Sequence, residues 1–195
     1  MGAATEPIIN ILGEQVALGP LVREYIPLFA RWGNDFAVAR TFGGAPQPRT
    51  IEAVTARYDA GHGNDYEFVI YERATWRPIG RTYLFGVDWR GRTAGFGIVI
   101  GEADARGKGF GTEATRLMLD FAFTALGLHS VMLTTDSYNL AGQAAYRKAG
   151  FKEFGRRREC SFLNGKLHDF VYMDCLASEF TSPMLSKIFV PDEPR

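Results

Sequence analysis

Arg106-Gly-Lys-Gly-Phe-Gly111, with the apolar run Phe96-Gly-Ile-Val-Ile-Gly101 before it and a helix-forming stretch after it, decides how this chain is read. Three alternating glycines leave backbone N–H groups free of Cβ obstruction, and a helix start adds unpaired N–H groups and partial positive charge. Arg106 and Lys108 put formal positive charge beside them, so the stretch is a cradle for a diphosphate. A nucleoside triphosphatase loop is excluded: one residue too many separates Gly101 from Gly107, and Gly109 follows Lys108 where Ser or Thr is required. A dinucleotide fingerprint remains open, since Gly109–Ala114 fits G-x-G-x-x-A and Asp136 falls near the ribose-binding acid's place. Against it, the polar segment Glu102–Gly107 separates strand from glycines where that turn should be tight.

Arg106–Gly111 also resembles the Arg/Gln-x-x-Gly-x-Gly/Ala pyrophosphate loop of the GNAT acetyltransferase superfamily. Asn139-Leu-Ala-Gly-Gln-Ala-Ala-Tyr146-Arg-Lys-Ala-Gly150-Phe151 is similar to that family's second signature and follows at the expected distance. Ile98–Glu102 before the loop, Gly-Thr-Glu-Ala114 after it and the late Asn164-Gly165 pair resemble the RimJ/RimL-like branch. The resemblance spans about Val16 to Leu176. It implies an α/β fold with a mixed, mostly antiparallel sheet, helices on both faces and a splayed pair of parallel strands. It also implies an N-acetyltransferase that binds acetyl-coenzyme A and moves acetyl to a primary amine by direct attack in a ternary complex.

Carried over residue by residue, the resemblance puts the cofactor's pantetheine arm against Val99, Ile100 and Gly101, and its diphosphate on Arg106, Gly107, Lys108, Gly109, Phe110, Gly111 and Thr112. Asn139 matches the pantetheine-binding asparagine, and an Asn at that place is equally a good N-cap. Tyr146 matches the general acid: a phenol stays protonated at neutral pH and can give its proton to a departing thiolate. Glu102, between strand and loop, is the candidate base, with Asp104 beside it. Trp32, Asn34 and Asp35 fall on the acceptor side; read without the resemblance, Trp32 is core and Asn34-Asp35 ends a helix. A catalytically silent domain that binds acyl-coenzyme A is the rival from another class. The acceptor stays open among protein N-termini, polyamines and amine-bearing small molecules.

Composition narrows the rest. Lysine plus arginine and aspartate plus glutamate number 22 each, so no global field gathers nucleic acid or an anionic membrane. No apolar run approaches the roughly 18 residues that span a bilayer, and cytoplasmic residence is the default expectation. His62, His129 and His168 are scattered, which makes no metal ligand set. There is no G-x-S-x-G, and Cys160 and Cys175 are expected as free thiols.

Along the chain, Ile11–Leu18 reads as a strand broken by Gly13-Glu14, and Leu21–Phe36 as a helix kinked or divided by Pro27. A polar loop follows at Gly43–Arg49, then a helix capped by Thr50 and closed by Gly61. Tyr66–Glu72, Ile79–Val87 and Thr93–Ile100 alternate as three antiparallel strands, the first two joined by a turn at Trp76-Arg-Pro78. Gly95, Gly97 and Gly101 suggest that something approaches the strand's backbone closely, and under the resemblance that something is the pantetheine arm. The clearest helical period runs from Ala114 to Ala125, closed by Gly127. Ser130–Thr135 is a parallel strand, Asn139–Ala149 a helix, and Phe154–Leu163 with Lys166–Leu176 a terminal hairpin. Residues 1–177 are expected as one domain. Residues 178–195, with Pro183, Pro191 and Pro194, are expected as an extension that is free or lies on a second subunit of a homodimer.

Overall fold

The computed structural model describes residues 7–41, 47–61 and 66–192. Most of the proposed Gly43–Arg49 loop, His62 and the two chain ends therefore lie outside the described residues. Eight strands form one sheet: β1 (Ile11–Leu12), β2 (Val16–Pro20), β3 (Tyr66–Glu72), β4 (Arg77–Asp88), β5 (Thr93–Ile100), β6 (Ser130–Asp136), β7 (Lys152–Leu163) and β8 (Lys166–Leu176). Their order is β1-β2-β3-β4-β5-β6-β8-β7, and every neighbouring pair is antiparallel except β5 and β6. Among the described residues there are five α-helices, α1 (Ile26–Asn34), α2 (Phe36–Ala39), α3 (Ile51–Asp59), α4 (Phe110–Asp120) and α5 (Leu140–Ala149).

β3 shows why the sheet carries helices on both faces. Its alternation sends Phe68 and Ile70 into the main core with Leu117 and Met118 of α4, and Val69 and Tyr71 into a second cluster with Phe29 and Trp32 of α1. A strand buried on both sides must read as a near-continuous apolar run, as Phe68-Val-Ile-Tyr71 does.

Local signals held where one residue controls the geometry. Thr50 caps α3 by accepting the Ala53 N–H, and the Asn164-Gly165 turn has φ of +51° and +75°, as a tight hairpin requires. Four expectations are corrected. The broken first strand is a hairpin of β1 and β2. Pro27 sits in the first turn of α1, where its missing N–H costs nothing, so it does not kink the helix; the stretch is divided just before it, between a 3-10 turn at Arg23–Tyr25 and α1. The turn into β4 is Arg73–Trp76, closed by the Thr75 and Trp76 N–H groups on the Glu72 carbonyl, which leaves Arg77 and Pro78 in the strand. The long helix after the loop changes from α to π geometry at Phe121–Ala125 before Gly127 turns it with φ +66°.

The C-terminal segment departs furthest from its composition. Asp120, fully buried at the end of α4, accepts the N–H groups of Met184 and Leu185 at 3.0 and 2.9 Å and the Thr124 hydroxyl at 2.8 Å. Leu185 is buried, and Phe180 packs edge-on to Phe123 with centroids 5.4 Å apart. Phe180, Met184 and Leu185 thus hold this segment on the core, and it is not an extended arm. No helix among the described residues is long and apolar enough to cross a membrane. Both cysteines are free thiols.

Because Asp120 satisfies three donors at once, Asp120→Ala leaves buried N–H groups unpaired, each costing about 1–3 kcal/mol. A stability loss of about 3 kcal/mol or more is expected by urea unfolding, with detachment of residues 180–189 visible as faster proteolysis there.

Candidate active site

β5 and β6 pair over three positions only, Thr93–Gly95 with Ser130–Met132, and then part. Beyond Gly95 one edge of β5 is open. The Gly101 N–H donates to the Ile79 carbonyl of β4 at 2.9 Å. Since antiparallel pairing alternates, Val99 and the Gly101 N–H face β4, while Ile98 and Ile100 face the opening. The backbone groups left for a ligand are those of Ile98 and the N–H of Ile100, whose carbonyl accepts from Arg106, which corrects the share assigned to Val99 and Gly101.

The β5 glycines also have a different cause from the one expected. A Cβ at Gly95 would enter the Phe85 ring, one at Gly97 the Tyr83 ring, and one at Gly101 the Trp32 indole. Aromatic side chains of β4 and α1 are what approach this backbone.

After the short helical turn Ala103–Ala105, Gly107 and Gly109 adopt φ of +75° and +90°, conformations that favour glycine. Gly109 precedes α4 without a side-chain cap, so the first N–H groups of α4, at Phe110, Gly111 and Thr112, point out of the helix unpaired. They suit an anion. Arg106 turns back instead, with Nε donating to the Ile100 carbonyl at 3.0 Å and a terminal nitrogen to the Gly101 carbonyl at 2.8 Å. Its guanidinium lies 3.9 Å from the Asp35 carboxylate. Arg106 thus clamps the loop to the end of β5, and Lys108 is the exposed cation beside the glycines.

A cleft of about 400 Å³ runs from this loop along the open edge to α5, lined among others by Ile98, Ile100, Gly107, Thr112, Asn139 and Tyr146. Its length of unpaired strand edge followed by an anion nest fits an elongated molecule that ends in a diphosphate. Asn139 caps α5 by accepting the Gly142 N–H at 3.1 Å and donates to the Thr135 hydroxyl at 3.1 Å.

A second cavity, of about 390 Å³, opens between the parted strands and is walled by Tyr83, Phe85, Phe170 and Tyr172. Tyr146 lines both spaces. Its ring stands edge-on to Phe96 at 6.3 Å and near Phe151 at 6.1 Å. Burial, with a smaller contribution from Tyr83, pushes its hydroxyl up to about 12. It is a proton donor that stays loaded across the physiological range.

Trp32, Asn34 and Asp35, expected on the acceptor side, are held by hydrogen bonds to their surroundings. Trp32 is 4% exposed beneath Gly101, and its indole N–H donates to the Glu102 carboxylate at 2.8 Å. The same oxygen accepts the Arg31 guanidinium. Asn34 donates to the Ala30 and Arg49 carbonyls at 2.8 Å and accepts the Arg49 N–H at 2.9 Å; Asp35 caps α2 by accepting the Ala37 N–H at 2.8 Å. Asp104 pairs with Arg77 at 2.8 Å, which holds its carboxyl below the usual range. Asp136, read from sequence only in the dinucleotide alternative, ends β6 inside the second cavity. Only the strands' parting brings it near Tyr146, and local sequence carries no signal of that.

A central mixed sheet with one short parallel pair, a glycine nest at a helix start and a phenol between two cavities define an acyl-coenzyme A-dependent transferase. The acetyltransferase (GNAT) domain model matches residues 15–152, and the chain belongs to that family. It is similar to a spermidine N(1)-acetyltransferase of Escherichia coli (strain K12), 28% identical over 158 residues, covering 81% of this chain and 84% of that one. A spermidine N(1)-acetyltransferase of Vibrio cholerae is 32% identical over 119 residues, 61% of this chain and 68% of that one. Among solved structures, a Vibrio cholerae spermidine N-acetyltransferase in complex with CoA and spermine superposes with a TM-score of 0.78 at 28% identity, covering 85% of this chain and 97% of that one. The protein is an N-acetyltransferase that uses acetyl-coenzyme A, and the dinucleotide reading is set aside. Among the described residues no group of three His, Cys, Asp or Glu could hold a metal ion.

The raised Tyr146 value has a stability consequence. Folding favours the protonated phenol, so the contribution is whole below about pH 10 and is lost as pH climbs towards about 12. Stability measured by urea unfolding at intervals above pH 9 is expected to fall less steeply in Tyr146→Phe than in the parent.

Proposed function

We propose that the protein acetylates a primary amine that enters through the aromatic cavity and meets acetyl-coenzyme A at Tyr146. The observation that carries this reading is that Tyr146 lines both spaces, as do Thr41 and Ile98, and of the three it alone carries an acidic phenol. Acetyl-coenzyme A supplies an activated thioester. Gly107, Gly109 and the N–H groups opening α4 hold its diphosphate, with Lys108 adding charge, and Arg106 fixes the loop that presents them. The open edge of β5 at Ile98 and Ile100 pairs with the amide groups of its arm. One of these N–H groups serves as donor to the thioester oxygen as negative charge develops there, a role worth about 3 kcal/mol.

Tyr146 gives its proton to the departing thiolate. Glu102 is held by Trp32 and Arg31, and its role here is to fix the acceptor wall. Asn139 holds the start of α5, and hence the placement of Tyr146 two turns on, while its carbonyl and amide border the arm.

The relatives named for spermidine support a polyamine acceptor. A second reading has its own observation: Arg157, exposed on β7, lines the aromatic cavity and favours an amine that carries an anionic group, as an acidic peptide N-terminus does. We also read the exposed Ile188, Phe189 and Val190 as a contact between two copies, which sedimentation of the pure protein would test.

The test is release of free coenzyme A from acetyl-coenzyme A with spermidine, amino-terminal peptides and aminoglycosides as acceptors. One class is expected to give release above background, and Tyr146→Phe to lower kcat by about 100-fold with unchanged coenzyme A affinity. Equal turnover by Tyr146→Phe would remove the acid from the mechanism, and a protein that binds coenzyme A but acetylates nothing would restore the silent binding domain.

A further inference from the structure

We infer that Asp136 is the anionic anchor that receives the acceptor's ammonium group. The inference rests on the reading of the aromatic cavity as the acceptor site, and deepens it.

Asp136 is 3% exposed, and its Oδ1 has no hydrogen-bond partner among the described residues. A buried carboxylate oxygen without a partner is costly, so a fold that keeps one leaves room for a cation that arrives from outside. The side chain lines the same cavity as Tyr83, Phe85, Phe170 and Tyr172. Aromatic faces carry negative potential and accept an ammonium group, so these walls and the acid favour a cationic nitrogen, and Arg157 in the same lining is left for an anionic group elsewhere on the same molecule.

The backbone around Asp136 is held independently of its carboxylate. Gln143, 4% exposed, donates from Nε2 to the Asp136 and Ser137 carbonyls at 3.1 Å each, and the Asn139 N–H donates to the Asp136 carbonyl at 3.0 Å. The Ser137 N–H is taken by the Asp169 carbonyl of β8 at 2.9 Å. A turn-forming aspartate uses its side-chain oxygen to accept a nearby backbone N–H. Here the carbonyl does that work, and the carboxylate of a residue that lines the cavity keeps one enclosed oxygen without a hydrogen bond, with Tyr138 the neighbouring hydroxyl.

The parting of β5 from β6 puts the Asp136 side chain on the same cavity as Tyr146. With an ammonium group against the carboxylate, transfer of one proton to it breaks one N–H bond and forms one O–H bond. Both partners become neutral, which burial favours, and nitrogen keeps its electron pair for attack. The proton passes to water once product leaves. The second proton lost from nitrogen balances the one that Tyr146 gives to sulfur.

The experiment is calorimetric titration of spermidine, n-butylamine and an alanyl peptide into full-length protein saturated with coenzyme A, for the parent and for Asp136→Asn, alongside acetyl transfer to the same amines. The parent is expected to bind at least one amine, and Asp136→Asn to bind it about 10- to 100-fold more weakly, with coenzyme A affinity within twofold. Melting temperature is expected to hold or rise, because the substitution removes a buried charge. Asp136→Glu tests placement, since it keeps the charge and moves it by one methylene. Equal amine binding by Asp136→Asn in a protein that transfers acetyl overturns the Asp136 inference alone. A joint fall in melting temperature and coenzyme A affinity shows a structural aspartate and overturns it too. No amine binding and no transfer by the parent overturns both this inference and the acceptor-site reading beneath it.

Discussion

The parting of two parallel strands after three paired residues is the constraint on which the site depends. β5 and β6 share Thr93–Gly95 and Ser130–Met132 and then separate, which leaves Ile98 and Ile100 with backbone groups that no other strand satisfies. Unpaired strand edges are costly to bury and open to pairing with an incoming extended group. One cleft lies along that edge, a second cavity lies between the parted strands, and Tyr146 from α5 lines both. The proposed cofactor placement, acceptor access and proton donation all rest on that one departure from regular pairing.

The surrounding residues keep the gap from closing. Arg106 ties the glycine loop to the Ile100 and Gly101 carbonyls, so the anion nest stays in register with the open edge. On the other face Trp32 covers Gly101 and bonds to Glu102, while Tyr83 and Phe85 lie over Gly97 and Gly95. Glycine is needed at those three positions because side chains from β4 and α1 occupy the space a Cβ would take. Asp136 and Tyr146 both line the space between the parted strands, Tyr146 as a phenol whose burial holds it protonated.

How much of this could be read from the chain depended on how local the cause was. The Gly107 and Gly109 nest, the Thr50 and Asn139 caps and the Asn164-Gly165 turn were legible because one residue's conformation or one short hydrogen bond decides each. The register of β5 was not: which of Val99 and Ile100 faces the gap depends on the Gly101–Ile79 bond to another strand. The glycines of β5 were noticed but attributed to a ligand, since their true neighbours come from 10 or more residues away or, for Trp32, from a separate helix. Pro27 was read as a breaker because the start of α1 is set by the preceding turn at Arg23–Tyr25, and the C-terminal segment as an arm because its anchor, Asp120, lies 64 residues earlier. Asp136 had no local signal at all.

Amide hydrogen exchange along β5, with and without coenzyme A, tests the central claim most directly. The account predicts that the Ile98 and Ile100 amides and those of Gly107–Thr112 gain protection on binding, while Val99 and Gly101, already bonded to β4, change little. Coenzyme A binding that leaves Ile98 and Ile100 exchanging as before would contradict it.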